Sequence, residues 1–176
     1  MAKQIGQTYG NALFELAIEQ GNLDQMMQET EFIKQCLAEN EDLVKVLNHP
    51  HIPKEEKLSL LNTVFGEMVS SDMSGFLVIL IQKDRQGEMM KIFDYFMHCA
   101  REYKKIGELY VTSAVTLSSE QKKQIEARIL ELTPYVSLNV QYRVDESLIG
   151  GLVLRINDRV VDSSIKTKLA NLAKSL

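Results

Sequence analysis

Several features that mark common protein classes are scarce or missing from this chain. Only two cysteines occur in 176 residues, Cys36 and Cys99, and each sits in an apolar helical pattern. A free thiol in such a setting behaves as a small buried hydrophobe. Nowhere do about 18 apolar residues run uninterrupted, so no transmembrane helix is expected. The opening "MAKQIGQTYGNALFELA" lacks the basic-then-apolar order of a signal peptide, and the expectation is a soluble, cytosolic chain with no direct membrane insertion. Positive charge is short as well: 20 Lys+Arg against 24 Asp+Glu give a net charge of −4. Nucleic-acid affinity rests on clustered Lys and Arg neutralising many phosphates, so nucleic acid is not an expected partner.

The missing chemistry is equally informative. His49 and His51 in "NHPHIP", and His98 beside Cys99, have no recognised ligand spacing, and no second ligand pair follows. No metal is expected. Gly150 and Gly151 open "GGLVLRIND" without the Gly-Lys-Ser/Thr that converges backbone N–H groups, an ammonium and a hydroxyl on phosphate, so a P-loop is excluded. Asp162, Ser163 and Ser164 could be imagined as an Asp-Ser pair, but no histidine or lysine base is predicted nearby, and a helix cap accounts for them. No catalytic residue and no cofactor is expected.

An apolar content of 45% can support packed cores, and up to about residue 106 its period is helical. Ile5, Tyr9, Leu13 and Leu16 make one stripe of the first helix and Phe14 and Ile18 a second, with Gly21 placed as a C-cap. Leu23, Met26, Met27, Ile33 and Leu37 mark a second helix, and "EDLVKVLNH" a short third ending against Pro50. Pro53 suits the first turn of a fourth, whose Leu58, Leu61 and Phe65 face a core. Ser70 or Ser71 caps a fifth, which runs through six consecutive apolar residues, 76–81. Met89, Ile92, Phe93, Phe96, Ala100 and Tyr103 stripe a sixth. A six-helix bundle over residues 1–106 is predicted.

After Gly107 the period changes to two, which marks a second domain over residues 107–176. "ELYVTSAVT" alternates, Ser118 and Gln121 make a capping box, and Leu138, Val140, Tyr142 and Val144 share one strand face. Gly150 and Gly151 lead into the strand "LVLRI" where positive φ or close backbone approach is needed. Asn157 and Asp158 form a two-residue turn, giving a hairpin. Asp162 or Ser163 then caps a last helix whose Ile165, Leu169, Leu172 and Leu176 form one apolar face to lay on the sheet. The fold class is mainly α, an N-terminal six-helix bundle followed by a small α+β domain. Residues 1–106 carry 11 Lys+Arg against 16 Asp+Glu and residues 107–176 carry 9 against 8, so the two parts suit different surfaces.

The order Ile149-Gly150-Gly151, an apolar alternation, Asp158, Val161-Asp162, Ser164-Ile165 and Leu169 closely resembles the C-terminal signature of the delta subunit of bacterial F-type ATP synthase, equivalent to the mitochondrial oligomycin-sensitivity-conferring protein. The opening helix "YGNALFELA" and the order of elements fit the same family along the whole chain. Asn157 departs from it, standing where the family usually has Gly, yet Asn also tolerates positive φ. The resemblance implies a non-catalytic stator subunit present once per complex. Its helical domain would grip the N-terminal helix of an alpha subunit, its C-terminal domain would engage the b subunits of the peripheral stalk, and the complex would hold it at the cytoplasmic face of the cell membrane. The alternative classes are a free-standing adaptor that captures amphipathic helices and a small phosphotransferase with no recognisable site.

Surplus apolar surface gives the resemblance a location. The first helix and the helix containing residues 76–81 are apolar over more than the roughly 100° a core needs, so their spare faces can form a trough for a partner helix. Tyr9, Ala12 and Leu16 on the first, with Phe76, Ile79 and Lys83 on the other, fall on common faces, and the resemblance places the alpha-subunit site on these helices. The resemblance places the stalk contact on the C-terminal domain, where Lys166, Lys168 and Lys174, off the apolar stripe of the last helix, are positioned to meet a partner's acids.

Overall fold

The computed structural model describes residues 2–157 and 159–174. It divides into two compact units between Ala100 and Arg101. The chain is mainly helical, with one small four-stranded sheet near its C-terminal end.

The first unit holds α1 (Ala2–Glu19), α2 (Leu23–Glu39), α3 (Glu41–Asn48), α4 (Lys54–Phe65), α5 (Ser71–Gln82) and most of α6 (Met89–Tyr103). Leu13, Met26, Ile33, Met73, Leu80, Ile92, Phe93 and Phe96 make one continuous buried core. The apolar stripes of the sequence account for this core, but they do not account for how closely α1 approaches α6. Gly6 and Gly10 do that. A Cβ on Gly10 would stand 2.7 Å from Cδ1 of Tyr95 and 3.0 Å from the carbonyl oxygen of Ile92, so only glycine permits the approach. At the end of α1, Gly21 adopts φ +67°. The N–H of Asn22 then reaches the carbonyl of Ala17 and that of Gly21 the carbonyl of Ile18, which closes the helix as a Schellman motif.

Ser70 caps α5 by accepting from the N–H of Met73. The buried carboxylate of Glu29, on α2, accepts from both the backbone N–H and the hydroxyl of Ser70, at 3.0 and 2.8 Å. One acid thus pins α2 to the start of α5. A Glu29→Ala change should lower the stability of the first unit by about 2 kcal/mol, because it leaves a half-buried donor pair without an acceptor. Thermal unfolding of the full chain checks this; an unchanged first transition would contradict it.

The division at Ala100 lies upstream of the change of period after Gly107. Arg101, in the last turns of α6, pairs with Glu108 of the first strand within the second unit.

The second unit contains β1 (Ile106–Ser113), α7 (Ser119–Leu132), β2 (Ser137–Val144), β3 (Leu152–Ile156), β4 (Arg159–Asp162) and α8 (Ile165–Lys174). The sheet order is β2-β1-β3-β4. β1 and β2 run parallel with α7 as their crossover, while β3 is antiparallel to both its neighbours. Register puts Leu109 beside Val140 and Ile156, and Val111 beside Tyr142 and Leu154, on one face. α7 packs on that face, started by the reciprocal Ser118–Gln121 capping box. Tyr142 donates its hydroxyl to Glu126 of α7 at 2.8 Å, and the Lys122 ammonium lies 4.6 Å from its ring centre. Burial, and then the Glu126 hydrogen bond and charge, push this phenol up to about 12.

Two sequence expectations change here. The last helix is capped by Ser164, not by Asp162 or Ser163: the Ser164 hydroxyl accepts from the N–H of Thr167 at 3.2 Å. Asp162 supports the cap by accepting from the Ser164 N–H and the Thr167 hydroxyl. The apolar stripe of α8 does not lie on the sheet either. Ile165, Leu169 and Leu172 are 43%, 52% and 61% exposed; Leu176 lies outside the described residues. The helix is anchored at its first turn, where Ile165 donates its N–H to Gly150, and it packs beside the 3-10 turn Glu146–Leu148.

Candidate interaction surfaces

On α1 the core side is taken by Gly6, Gly10, Leu13 and Ala17, and the expected partner face forms the adjoining shoulder. Tyr9 and Leu16 are half-buried there and Ala12 is exposed. On α5, Ile79 is 46% exposed and Lys83 is also exposed, next to Gly75, where an added Cβ would meet nothing within 4 Å. Phe76 is different: at 6% exposure it belongs to the core. Its position follows from helical geometry, since Phe76 lies between Met73 and Leu80 on the buried side of the six-residue apolar run. The surface of α5 is therefore carried by Gly75, Ile79 and Lys83. Asn22, just after α1, donates to Asp72 in the first turn of α5 at 3.1 Å, which brings those two helix ends together.

The second unit has apolar surface that was not anticipated. A cavity of about 480 Å³ opens between α7 and β3, lined by Leu117, Ile125, Ile129, Leu152 and Leu154, with Gly151 at one end. Gly151, at φ +80°, abuts Ser163 and Ser164, from which α8 departs. The exposed Ile165 and Leu169 thus begin beside the end of the cavity. Lys166 donates to Ser147 at 3.5 Å, and Lys168 is exposed. Asp158 and the Lys174 side chain lie outside the described residues. Asn157 takes φ +48° in the hairpin turn and donates to the Tyr135 hydroxyl at 2.7 Å.

Among the described residues, no group of three or more His, Cys, Asp or Glu is arranged to hold a metal ion, and no helix is long and apolar enough to cross a membrane. The displaced carboxyls have local causes. Asp162 is held below its ordinary 3.8 first by the N–H of Ser164, then by the hydroxyls of Thr167 and Ser164, and Asp145 is held down by Ser147. A carboxyl whose folded value is depressed contributes stability above the unfolded value and loses it as pH falls through the folded one. The Asp162 carboxyl should therefore titrate with an NMR midpoint below 3.8, with the start of α8 loosening only under more acid conditions. A midpoint at or above 3.8 would contradict the cap geometry.

Comparison with known families matches residues 5–176 to the ATP synthase delta (OSCP) subunit family. The chain belongs to that family. The match runs through both units, and the relatives are matched over nearly their whole length. The chain is 50% identical to the ATP synthase subunit delta of Lachnoclostridium phytofermentans, covering 100% of this chain and 97% of the relative. It is 37% identical to the subunit delta of Desulfitobacterium hafniense, covering 98% and 96%. A chloroplastic delta subunit from Ochrosphaera neapolitana is 31% identical, covering 98% and 97%. In fold, this delta-family chain superposes on a chain of the Toxoplasma gondii mitochondrial ATP synthase with a TM-score of 0.77 at 17% identity, covering 97% and 96%. The family is that of a subunit within a complex, in keeping with a delta-family chain whose distinctive features are surfaces.

Proposed function

We propose that this chain is the stator subunit that joins the catalytic head of an F-type ATP synthase to its peripheral stalk. The observation that carries the reading is the family match across both units, each of which has its own exposed apolar surface. The first unit, a six-helix bundle in this reading, takes the N-terminal helix of an alpha subunit on the shoulder made by Tyr9, Ala12, Leu16, Ile79 and Lys83. The helix-in-groove mode suits this surface, since a partner's i, i+3, i+4 and i+7 residues can lie along half-buried side chains. The second unit engages the b subunits through α8 and the neighbouring cavity, with Lys166 and Lys168 flanking the contact. The subunit works once per complex, at the cytoplasmic face of the cell membrane and attached through the complex. Its task is mechanical: two separate grips let it resist rotor torque.

Deleting the chain from Ile165 onward tests the division of labour. The truncated protein should lose binding to the soluble part of the b subunits while still binding an alpha N-terminal peptide. Unchanged stalk binding after the deletion would refute the assignment.

A further inference from the structure

Ile149 combines two costs that a solvent-facing loop has no reason to bear together. Its backbone sits at φ +67° and ψ −37°, a region that a β-branched residue rarely enters, because the branched side chain crowds its own backbone. Its side chain is 65% exposed. The conformation is fixed from both sides. The Ile149 N–H donates to Glu146 at 3.1 Å. Of the two residues that follow, Gly151 is wedged, since a Cβ there would stand 2.5 Å from the carbonyl oxygen of Ser163, while one on Gly150 would meet the movable Cδ1 of Ile165 at 2.6 Å. Gly at position 149 would relieve the strain, Asn would ease it by removing the β-branch, and either would remove the exposed apolar surface. Backbone strain retained at a surface position points to a function for the side chain that causes it.

We propose that Ile149 is a docking knob, presented to an acidic amphipathic helix of the stalk together with Ile165 and Leu169. This rests on the reading that the second unit binds the stalk. The neighbourhood supports the choice of occupant. Gly150 and Ile165 are in contact, so the knob stands beside the first turn of α8, and Ile165 and Leu169 continue the apolar surface along that helix. At 3.6 residues per turn, Lys168 and Lys166 fall on opposite borders of this stripe. Lys168 is exposed, and Lys166, also exposed, reaches the Ser147 hydroxyl and helps to hold the Asp145 carboxyl down, while Asp145 and Asp162 are occupied mainly by local hydrogen bonds. An apolar strip bordered by two solvent-exposed cations is complementary to a helix whose apolar stripe has carboxylates on its flanks.

The experiment uses the full chain, and the probe is the soluble part of the b subunits. Ile149→Asn should raise the unfolding temperature by about 5 °C, since Asn lacks the β-branch that crowds the backbone at positive φ. The same change should weaken stalk binding by about tenfold or more, the scale of a central apolar contact, with alpha-peptide binding unchanged. Leu169→Asp is the control for the surface as a whole. If Leu169→Asp loses the stalk while Ile149→Asn binds as tightly as wild type, the knob is refuted and the stalk reading stands. If both variants bind as wild type, the stalk reading itself fails. A lower unfolding temperature for Ile149→Asn would overturn the strain assignment. A concentration-dependent dimer of the wild-type chain that Ile149→Asn abolishes would assign the knob to a second copy and overturn the proposal.

Discussion

Gly151→Ala is expected to lower the stability of the second unit by about 3 kcal/mol. Left-handed backbone costs an L-residue roughly 1–2 kcal/mol, and Gly151 stands at φ +80°. The added methyl would lie 2.5 Å from the carbonyl oxygen of Ser163 and 3.1 Å from Cα of Ser164. Both obstacles are backbone, so no side-chain rotation relieves them. The strand could shift only by breaking the bonds that start α8, from Ser163 N–H to Leu152 and from Ile165 N–H to Gly150, each 2.9 Å. Forced overpacking of this kind adds about 1–3 kcal/mol. Gly75→Ala makes the internal comparison: it lies in a helix interior with open space around it, where alanine should stabilise by about 0.5–1 kcal/mol. Chemical denaturation of the two variants should therefore move in opposite directions. Equal effects would mean that the backbone around Gly151 yields to an added methyl group.

Ala12→Asp should leave the first unit folded and reduce binding of an alpha N-terminal peptide by about a hundredfold. The first half follows from exposure: Ala12 is on the surface of α1, and substitutions at such positions usually stay within about 0.5 kcal/mol of wild type. The second half follows from the proposed contact. A partner helix lying over the Tyr9–Leu16 shoulder would bury the new carboxylate against apolar groups, and burying an unpaired charge costs several kcal/mol. Unfolding temperature and peptide affinity, measured on the same sample, separate the two halves. A variant that stays folded and binds as tightly as wild type would remove this shoulder from the interface.

Much of the fold was legible because its signals are local. The stripes of α2 and α6, the Ser70 and Ser118 caps, the Gly21 stop and the Asn157 turn depend on residues within one or two turns of each other. What failed to show was tertiary. The glycines of α1 carry no stripe, and their role appears only when Tyr95 and Ile92 arrive from α6; the four-residue spacing of Gly6 and Gly10 was the one available hint. Phe76 looked like spare surface because six apolar residues in succession hide which of them face inward, and burial by neighbouring helices decides that. The α8 stripe has the pattern of a packed helix whether its cover is the chain's own sheet or another molecule, since periodicity reports an apolar face and not its occupant. The strain at Ile149 has no sequence signature, as it goes with the Glu146 hydrogen bond on one side and the wedged Gly151 on the other.

The central claim is that one chain grips two partners through two separate units. It is tested most directly by mixing the purified chain with alpha-containing heads and the soluble b subunits and measuring the masses of the complexes formed. A ternary complex should appear only when the chain is present, with one copy of the chain per head, and Ala12→Asp and Leu169→Asp should each reduce it to a different binary complex. Heads and b subunits that assemble equally well without the chain, or a chain that binds only one of them at a time, would contradict the account.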